Sequence, residues 1–183
     1  MPIVRVRVQS CKVHDVSPAF PLSFPGAMTQ FPAMTLRDRF WENVPLNRMT
    51  PDEWEALCDG CGKCCLNKLE DVDTGALLFT RVACRLFDDS TCQCGNYAIR
   101  KQLVPECVVL TPAKLPEVAY WLPDTCAYKL LHQGRRLRNW HPLVSGDRGS
   151  VHRAGVSMQG RTVPEFEIPE EDWEDYALTG EST

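Results

Sequence analysis

Four cysteines fall within eight residues of this chain, Cys58-Asp59-Gly60-Cys61-Gly62-Lys63-Cys64-Cys65, and nine of its ten cysteines lie between Cys58 and Cys126. Thiolate is the softest common protein ligand, so a segment this dense in sulfur folds around whatever holds the sulfurs together. That is either a disulfide framework or bound metal. The N-terminus carries Arg5, Arg7, Lys12, His14 and Asp15 with no apolar stretch of the secretory kind. A cytoplasmic, reducing setting is therefore expected, and metal is favoured over disulfides.

Cys58, Cys61 and Cys64 have the C-x2-C-x2-C spacing that wraps three thiolates around an iron–sulfur cube, with a fourth ligand from elsewhere. A C-x2-C pair is equally a zinc knuckle. Iron–sulfur is slightly favoured over zinc, because zinc sites do not require the third spacing. Neighbouring side chains diverge, so Cys64 and Cys65 fit two centres better than one, unless Cys65 is a buried thiol. Cys92-Gln93-Cys94 adds a close pair, and Cys84, Cys107 and Cys126 complete the nine. Two four-ligand sites plus one spare thiol is the simplest arithmetic. Gly60 and Gly62 let the backbone turn tightly around the metal.

At 183 residues, one small domain with tails is expected. No run approaches the roughly 18 apolar residues of a membrane helix. Residues 1–34 read as a flexible or mis-annotated extension: Val4 to Val8 alternates like one strand, but no partner strand is evident and Pro18, Pro21, Pro25 and Pro32 follow. Residues 35–163 read as the cysteine-rich metal-binding domain, and 164–183 as an acidic helix and tail. From Pro164 onward there are eight acids and no Lys or Arg, leaving the rest at 20 basic against 16 acidic residues.

Local signals predict a short helix at Phe40 and Trp41, and another with Thr50 as N-cap, Pro51 first and Glu53 closing a capping box. That second helix delivers Cys58. Asp73-Thr74-Gly75 predicts a turn into an extended Leu77–Cys84. Helices are expected from Thr111 to near Pro123, from Asp124 or Thr125 to Gly134 with Cys126 in the first turn, and from Pro169 to Ala177. The fold class expected is an α-rich small α+β domain with irregular loops, organised by a cysteine-ligated metal centre.

His141 in Trp140-His141-Pro142 reads as a packing residue rather than a ligand, and His132 and His152 as exposed. Lys129, Arg135, Arg136, Arg138, Arg148, Arg153 and Arg161 face only Asp147 between 127 and 163. This suggests a solvated face, with zinc-stabilised nucleic-acid binding as an alternative. An iron–sulfur subunit of a redox or radical-type enzyme is a further alternative. No hydrolase triad, phosphate loop or paired-carboxylate site stands out.

The run Glu53 to Cys65, then Val82-Ala83-Cys84-Arg85, Thr91-Cys92-Gln93-Cys94, Trp121 to Tyr128 and Trp140-His141-Pro142-Leu143, resembles the bacterial YcgN-like proteins of the CxxCxxCC zinc- or iron-chelating group. The similarity spans roughly Leu36 to Trp173. Residues before Met28 have no counterpart in it. The resemblance implies a cytosolic bacterial protein whose functional positions are Cys58, Cys61, Cys64, Cys65, Cys84, Cys92, Cys94, Cys107 and Cys126. It implies metal ions as partners and supplies no reaction. A related motif in proteins that look like flagellin lysine methylases brings in an iron–sulfur enzyme, but this chain lacks the length for that architecture.

Overall fold

The computed structural model describes residues 3–4, 10–11 and 36–178. Two short strands, β1 (Ile3–Val4) and β2 (Ser10–Cys11), precede helices α1 (Phe40–Asn43) and α2 (Pro51–Ala56). A 3-10 turn over Lys63–Cys65 leads into the main hairpin, β3 (Leu66–Asp71) and β4 (Leu77–Ala83). A small hairpin follows, β5 (Phe87–Asp88) and β6 (Gln93–Cys94), then α3 (Arg100–Leu103), β7 (Val108–Val109), α4 (Leu115–Val118) and α5 (Ala127–His132). The chain closes with α6 (Pro142–Ser145), α7 (Ser150–Arg153), β8 (Val163–Pro164) and a 3-10 helix over Glu170–Tyr176.

The fold is mixed rather than α-rich, which corrects the expectation from sequence. Its α-helices span only four to six residues, and its framework is the four-stranded sheet β1-β3-β4-β8. Nine prolines from Pro45 to Pro169 and the turns that set the cysteines leave little room for long helices, and the long ladder forms between strands instead. The segment expected as one helix from Thr111 to near Pro123 is α4 followed by a 3-10 turn over Ala119–Trp121, and the last helix is entirely 3-10.

β3 and β4 pair antiparallel, and the register slips between Leu66 and Lys68. Phe79 and Ala83 join Leu66, Met158 and Leu178 in one cluster, while Val82 and Leu69 join Trp173 in another. Alternate residues of β4 thus bury both faces of the sheet. β8 pairs parallel to the end of β4, and the buried Glu165 after it bonds Arg85 Nε at 2.7 Å and Asn67 Nδ2 at 3.1 Å. The acidic C-terminal segment is therefore tied to the sheet.

Ile3–Val4 does find a partner, antiparallel to Glu70–Asp71, and Ser10–Cys11 runs parallel to Val108–Val109. The remainder of the 1–34 segment lies outside the described residues. No helix of the described residues is long and apolar enough to cross a membrane.

The largest core cluster gathers Phe40, Trp54, Leu57, Leu110, Leu115, Trp121, Leu122 and Tyr128. Trp54 and Tyr128 pin α2 to α5: their ring centroids lie 4.7 Å apart, Tyr128 Oη donates to the Trp54 carbonyl at 2.8 Å, and Trp54 Nε1 donates to the Leu110 carbonyl at 3.1 Å. Aromatic burial of this kind contributes about 2–3 kcal/mol per ring. Its consequence is positional: the C-terminal end of α2, where the cysteine knot begins, sits against the N-terminal end of α5.

Candidate metal centre

The knot starts where α2 ends. Thr50 and Glu53 close the capping box, with Thr50 Oγ1 accepting from the Glu53 amide at 3.2 Å and Glu53 Oε2 accepting from the Thr50 amide at 2.9 Å. Glu53 is buried, and its hydrogen bond from Arg37 draws the carboxyl down to about 2. Cys58 follows directly. Gly60 and Gly62 then adopt φ of +75° and +79°, the left-handed turns that the knot requires. A β-carbon on Gly62 would lie 2.7 Å from Phe87 Cζ, so close packing as well as conformation demands glycine there.

Cys58, Cys61, Cys64 and Cys126 line one cavity of about 30 Å³, walled otherwise by mostly apolar groups such as Leu110, Leu122 and Tyr128, with the buried carboxylate of Asp59 also on its wall. Three of the four come from the knot. Cys126 is the N-cap residue of α5, one position before the first turn that the sequence suggested for it. Lys129 braces this helix start, bonding Asp124 and the Leu122 carbonyl, each at 2.8 Å. A helix N-terminus favours a negatively charged sulfur.

The backbone also points at the sulfurs. The Gly60 amide donates to Cys58 Sγ at 3.2 Å, the Lys63 amide donates to Cys61, and the Leu86 amide donates to Cys84 Sγ at 3.5 Å. In each case the donor lies two residues beyond the sulfur. Amides arranged this way stabilise thiolate over thiol.

Cys65, Cys84 and Cys107 are grouped separately with Val104, and Cys94 packs against them. Cys64 touches both groups. Cys92 belongs to neither, and it adopts φ of +55° beside the knot. The nine cysteines from Cys58 to Cys126 are free of disulfides. Among the described residues, no three His, Cys, Asp or Glu side chains are gathered into a ready ligand set, so the thiols share a wall rather than a point.

Burial pushes three of these thiols upward: Cys61 rises well above the ordinary thiol value, Cys84 to about 12 and Cys92 to about 11. Cys64 rises chiefly through its hydrogen bond with Cys65. Buried sulfurs of this kind become thiolates when a cation is present to hold the charge. The donor set, soft and apolar-walled, therefore fits zinc or iron.

Lys68 was not expected in the interior. It is fully buried on β3, its Nζ 2.8 Å from the Leu66 carbonyl and between the rings of Phe79 and Trp121 at 4.9 and 5.1 Å. Burial pulls its ammonium down to about 8, opposed by Cys64, Cys65 and Cys61. Lys63, within the knot, is buried as well. One buried cation, Lys68, thus stands among the sulfurs.

His141 is a buttress, as its sequence context suggested. Its Nδ1 accepts from the Leu143 amide at 3.1 Å, so Nε2 carries the proton and donates to the Leu57 carbonyl at 2.9 Å, one residue before Cys58. His132 is exposed, whereas His152 is half-buried with Nδ1 2.8 Å from Ser157 Oγ, because α7 turns it toward the following loop. An open cavity of about 750 Å³ lies elsewhere, bordered by Arg39, Trp41, Arg135 and Arg136, and contains no cysteine.

The CxxCxxCC family, described as "Putative zinc- or iron-chelating domain", matches residues 57–127. Over 143 residues the chain is 63% identical to a UPF0260 protein of Rhodobacter capsulatus, covering 78% of this chain and 95% of that one. It is 56% identical over 139 residues to a UPF0260 protein of Cellvibrio japonicus, covering 76% of this chain and 94% of the relative. A UPF0260 protein of Allorhizobium ampelinum is 54% identical over 137 residues, covering 75% and 86% of the two chains. No solved structure matches.

Proposed function

We propose, from the premise that this chain belongs to the UPF0260 family, that it is a metal-binding protein in which Cys58, Cys61, Cys64 and Cys126 hold one zinc or iron ion as thiolates. The observation that carries this reading is the convergence of four thiols, from the knot and from the start of α5, on one apolar cavity. An ion supplies the attraction that draws the sulfurs from the wall to a point, displacing their protons as it binds. Four thiolates suffice for a single ion, and acid-labile sulfide distinguishes that ion from a four-iron cube, which the C-x2-C-x2-C spacing would also admit.

When bound, the ion cross-links the end of α2 to the N-terminus of α5, segments joined otherwise by the Trp54–Tyr128 contact. The protein's own groups prepare that cross-link. Gly60 and Gly62 turn the chain, the amides of Gly60 and Lys63 face sulfur, and His141 fixes the carbonyl of Leu57. Lys68 would offset part of the net negative charge of a thiolate-bound ion.

The test is metal and acid-labile sulfide analysis of protein purified without oxygen. The expected result is at least one zinc or iron per folded chain, no sulfide, and loss of the ion in Cys61→Ser. Four irons with matching sulfide would replace the single ion by a cube. Well-folded protein with no metal would sink the proposal.

A further inference from the structure

The features that mark the first thiol set recur beside it. Cys65, Cys84 and Cys107 are buried together, with Cys94 packed against them. Four separate pieces of chain deliver these sulfurs. Cys65 ends the 3-10 turn, and its carbonyl accepts from the Cys84 amide at 3.0 Å where β4 ends. The β5–β6 hairpin pairs Phe87 with Cys94 and is closed by the Gly95 amide on the Leu86 carbonyl at 2.7 Å. Cys107 lies just beyond α3, its amide bonded to the Val104 carbonyl at 3.0 Å.

Cys84 accepts the Leu86 amide two residues on, the bond made by Cys58 and Cys61 in the first set. Arg100 gives an independent sign. It is 6% exposed, its guanidinium stacks 3.8 Å from the ring centroid of Tyr97 and donates through Nη1 to the Tyr97 carbonyl at 2.6 Å, while its Nε has no hydrogen-bond partner among the described residues. Tyr97 packs on the thiol group, and the Arg100 carbonyl accepts from the amide of Val104, which lies within it. A buried guanidinium is costly without an anion nearby. An ion bound by four thiolates carries a net charge of −2.

From this arrangement we infer that Cys65, Cys84, Cys94 and Cys107 bind a second zinc or iron ion, separate from the first, and that Cys92 ligates neither. The inference extends the proposal above, since it takes the same thiolate chemistry to a second place. The knot is then a junction: Cys64 and Cys65, whose side chains diverge, send one sulfur to each ion. Cys92 stands outside both groups, with its β-carbon 3.5 Å from the position a Gly62 β-carbon would take.

The experiment counts bound ions by native mass spectrometry, with zinc and iron identified by elemental analysis. It uses the full-length protein and its Cys61→Ser, Cys92→Ser and Cys94→Ser variants. Two ions are expected in the wild type and in Cys92→Ser, and one in Cys94→Ser. A single ion in the wild type, kept by Cys94→Ser and lost by Cys61→Ser, overturns the second site and leaves the first standing. A single ion lost by Cys94→Ser and kept by Cys61→Ser sustains the second site and overturns the first. No ion in folded wild type overturns both. Where Cys94→Ser fails to fold, Cys61→Ser alone decides, since a single wild-type ion lost by it belongs to the first site and one kept by it to the second.

Discussion

Replacing either knot glycine by alanine separates two costs that usually arrive together. Gly60 and Gly62 share the left-handed conformation, at φ +75° and +79°, so both substitutions carry the roughly 1–2 kcal/mol cost of placing a β-carbon there. Their surroundings differ. Around Gly60 a β-carbon meets nothing within 4 Å, whereas at Gly62 it meets Phe87 Cζ at 2.7 Å and Phe87 Cε2 at 3.0 Å. Forcing a methyl against a packed ring adds about 1–3 kcal/mol. Gly62→Ala is therefore expected to cost about 2–5 kcal/mol in all, against about 1–2 for Gly60→Ala.

Urea unfolding at one fixed metal concentration reads the difference. With a slope near 2 kcal/mol/M, Gly62→Ala should lower the midpoint by roughly 1–2.5 M and Gly60→Ala by less than about 1 M. The added variant Phe87→Leu should soften the Gly62→Ala loss, so that the double variant is more stable than the sum of the singles. Equal midpoints for the two glycine variants, or strict additivity with Phe87→Leu, would refute the claim that Phe87 closes on the knot.

Glu53 sets an acid limb. Its folded value, near 2, lies below the ordinary 4.5, so its contribution is complete above about 4.5 and fades as pH falls toward 2. The melting temperatures of wild type and Glu53→Gln should differ at pH 6 and converge toward pH 2, a comparison that removes whatever metal loss the two share. His141→Ala removes the hydrogen bond that holds the Leu57 carbonyl, just before Cys58, together with the one it accepts from the Leu143 amide, and should cost about 2–4 kcal/mol, with faster metal release to a chelator. Deleting residues 1–33 removes the two-residue strands β1 and β2 and should leave the ion count unchanged by elemental analysis. Loss of an ion on truncation would bring Cys11 into the ligand set.

Features governed by neighbours in the chain were legible in the sequence. The capping box at Thr50 and Glu53, the turn at Asp73–Gly75 and the extended run from Leu77 each depend on a few adjacent residues. Strand β3 was hidden because its interior positions include Asn67 and Lys68, both fully buried, so hydrophobic alternation was absent. Asn67 is satisfied by Glu165, 98 residues away, and Lys68 by carbonyls of the knot's end. Glu165 lies outside any local window of sequence, and so does Trp121, over whose ring the Lys68 ammonium sits. The helices expected over Thr111 to Pro123 and Pro169 to Ala177 form instead as α4 with a 3-10 turn and as a 3-10 helix, because start signals such as Thr111-Pro112 mark where a turn begins and not how many residues continue it. The sulfur count suggested two sets, but which cysteine joins which group depends on the β5–β6 hairpin and on the docking of α5 against α2.

X-ray absorption at the zinc or iron edge of the purified protein tests the central claim most directly. The account predicts a first shell of four sulfurs, at about 2.3 Å if the metal is zinc, and loss of the signal from the first centre in Cys61→Ser. A shell dominated by nitrogen or oxygen, or an unchanged all-sulfur spectrum with full metal content in Cys61→Ser, would contradict it.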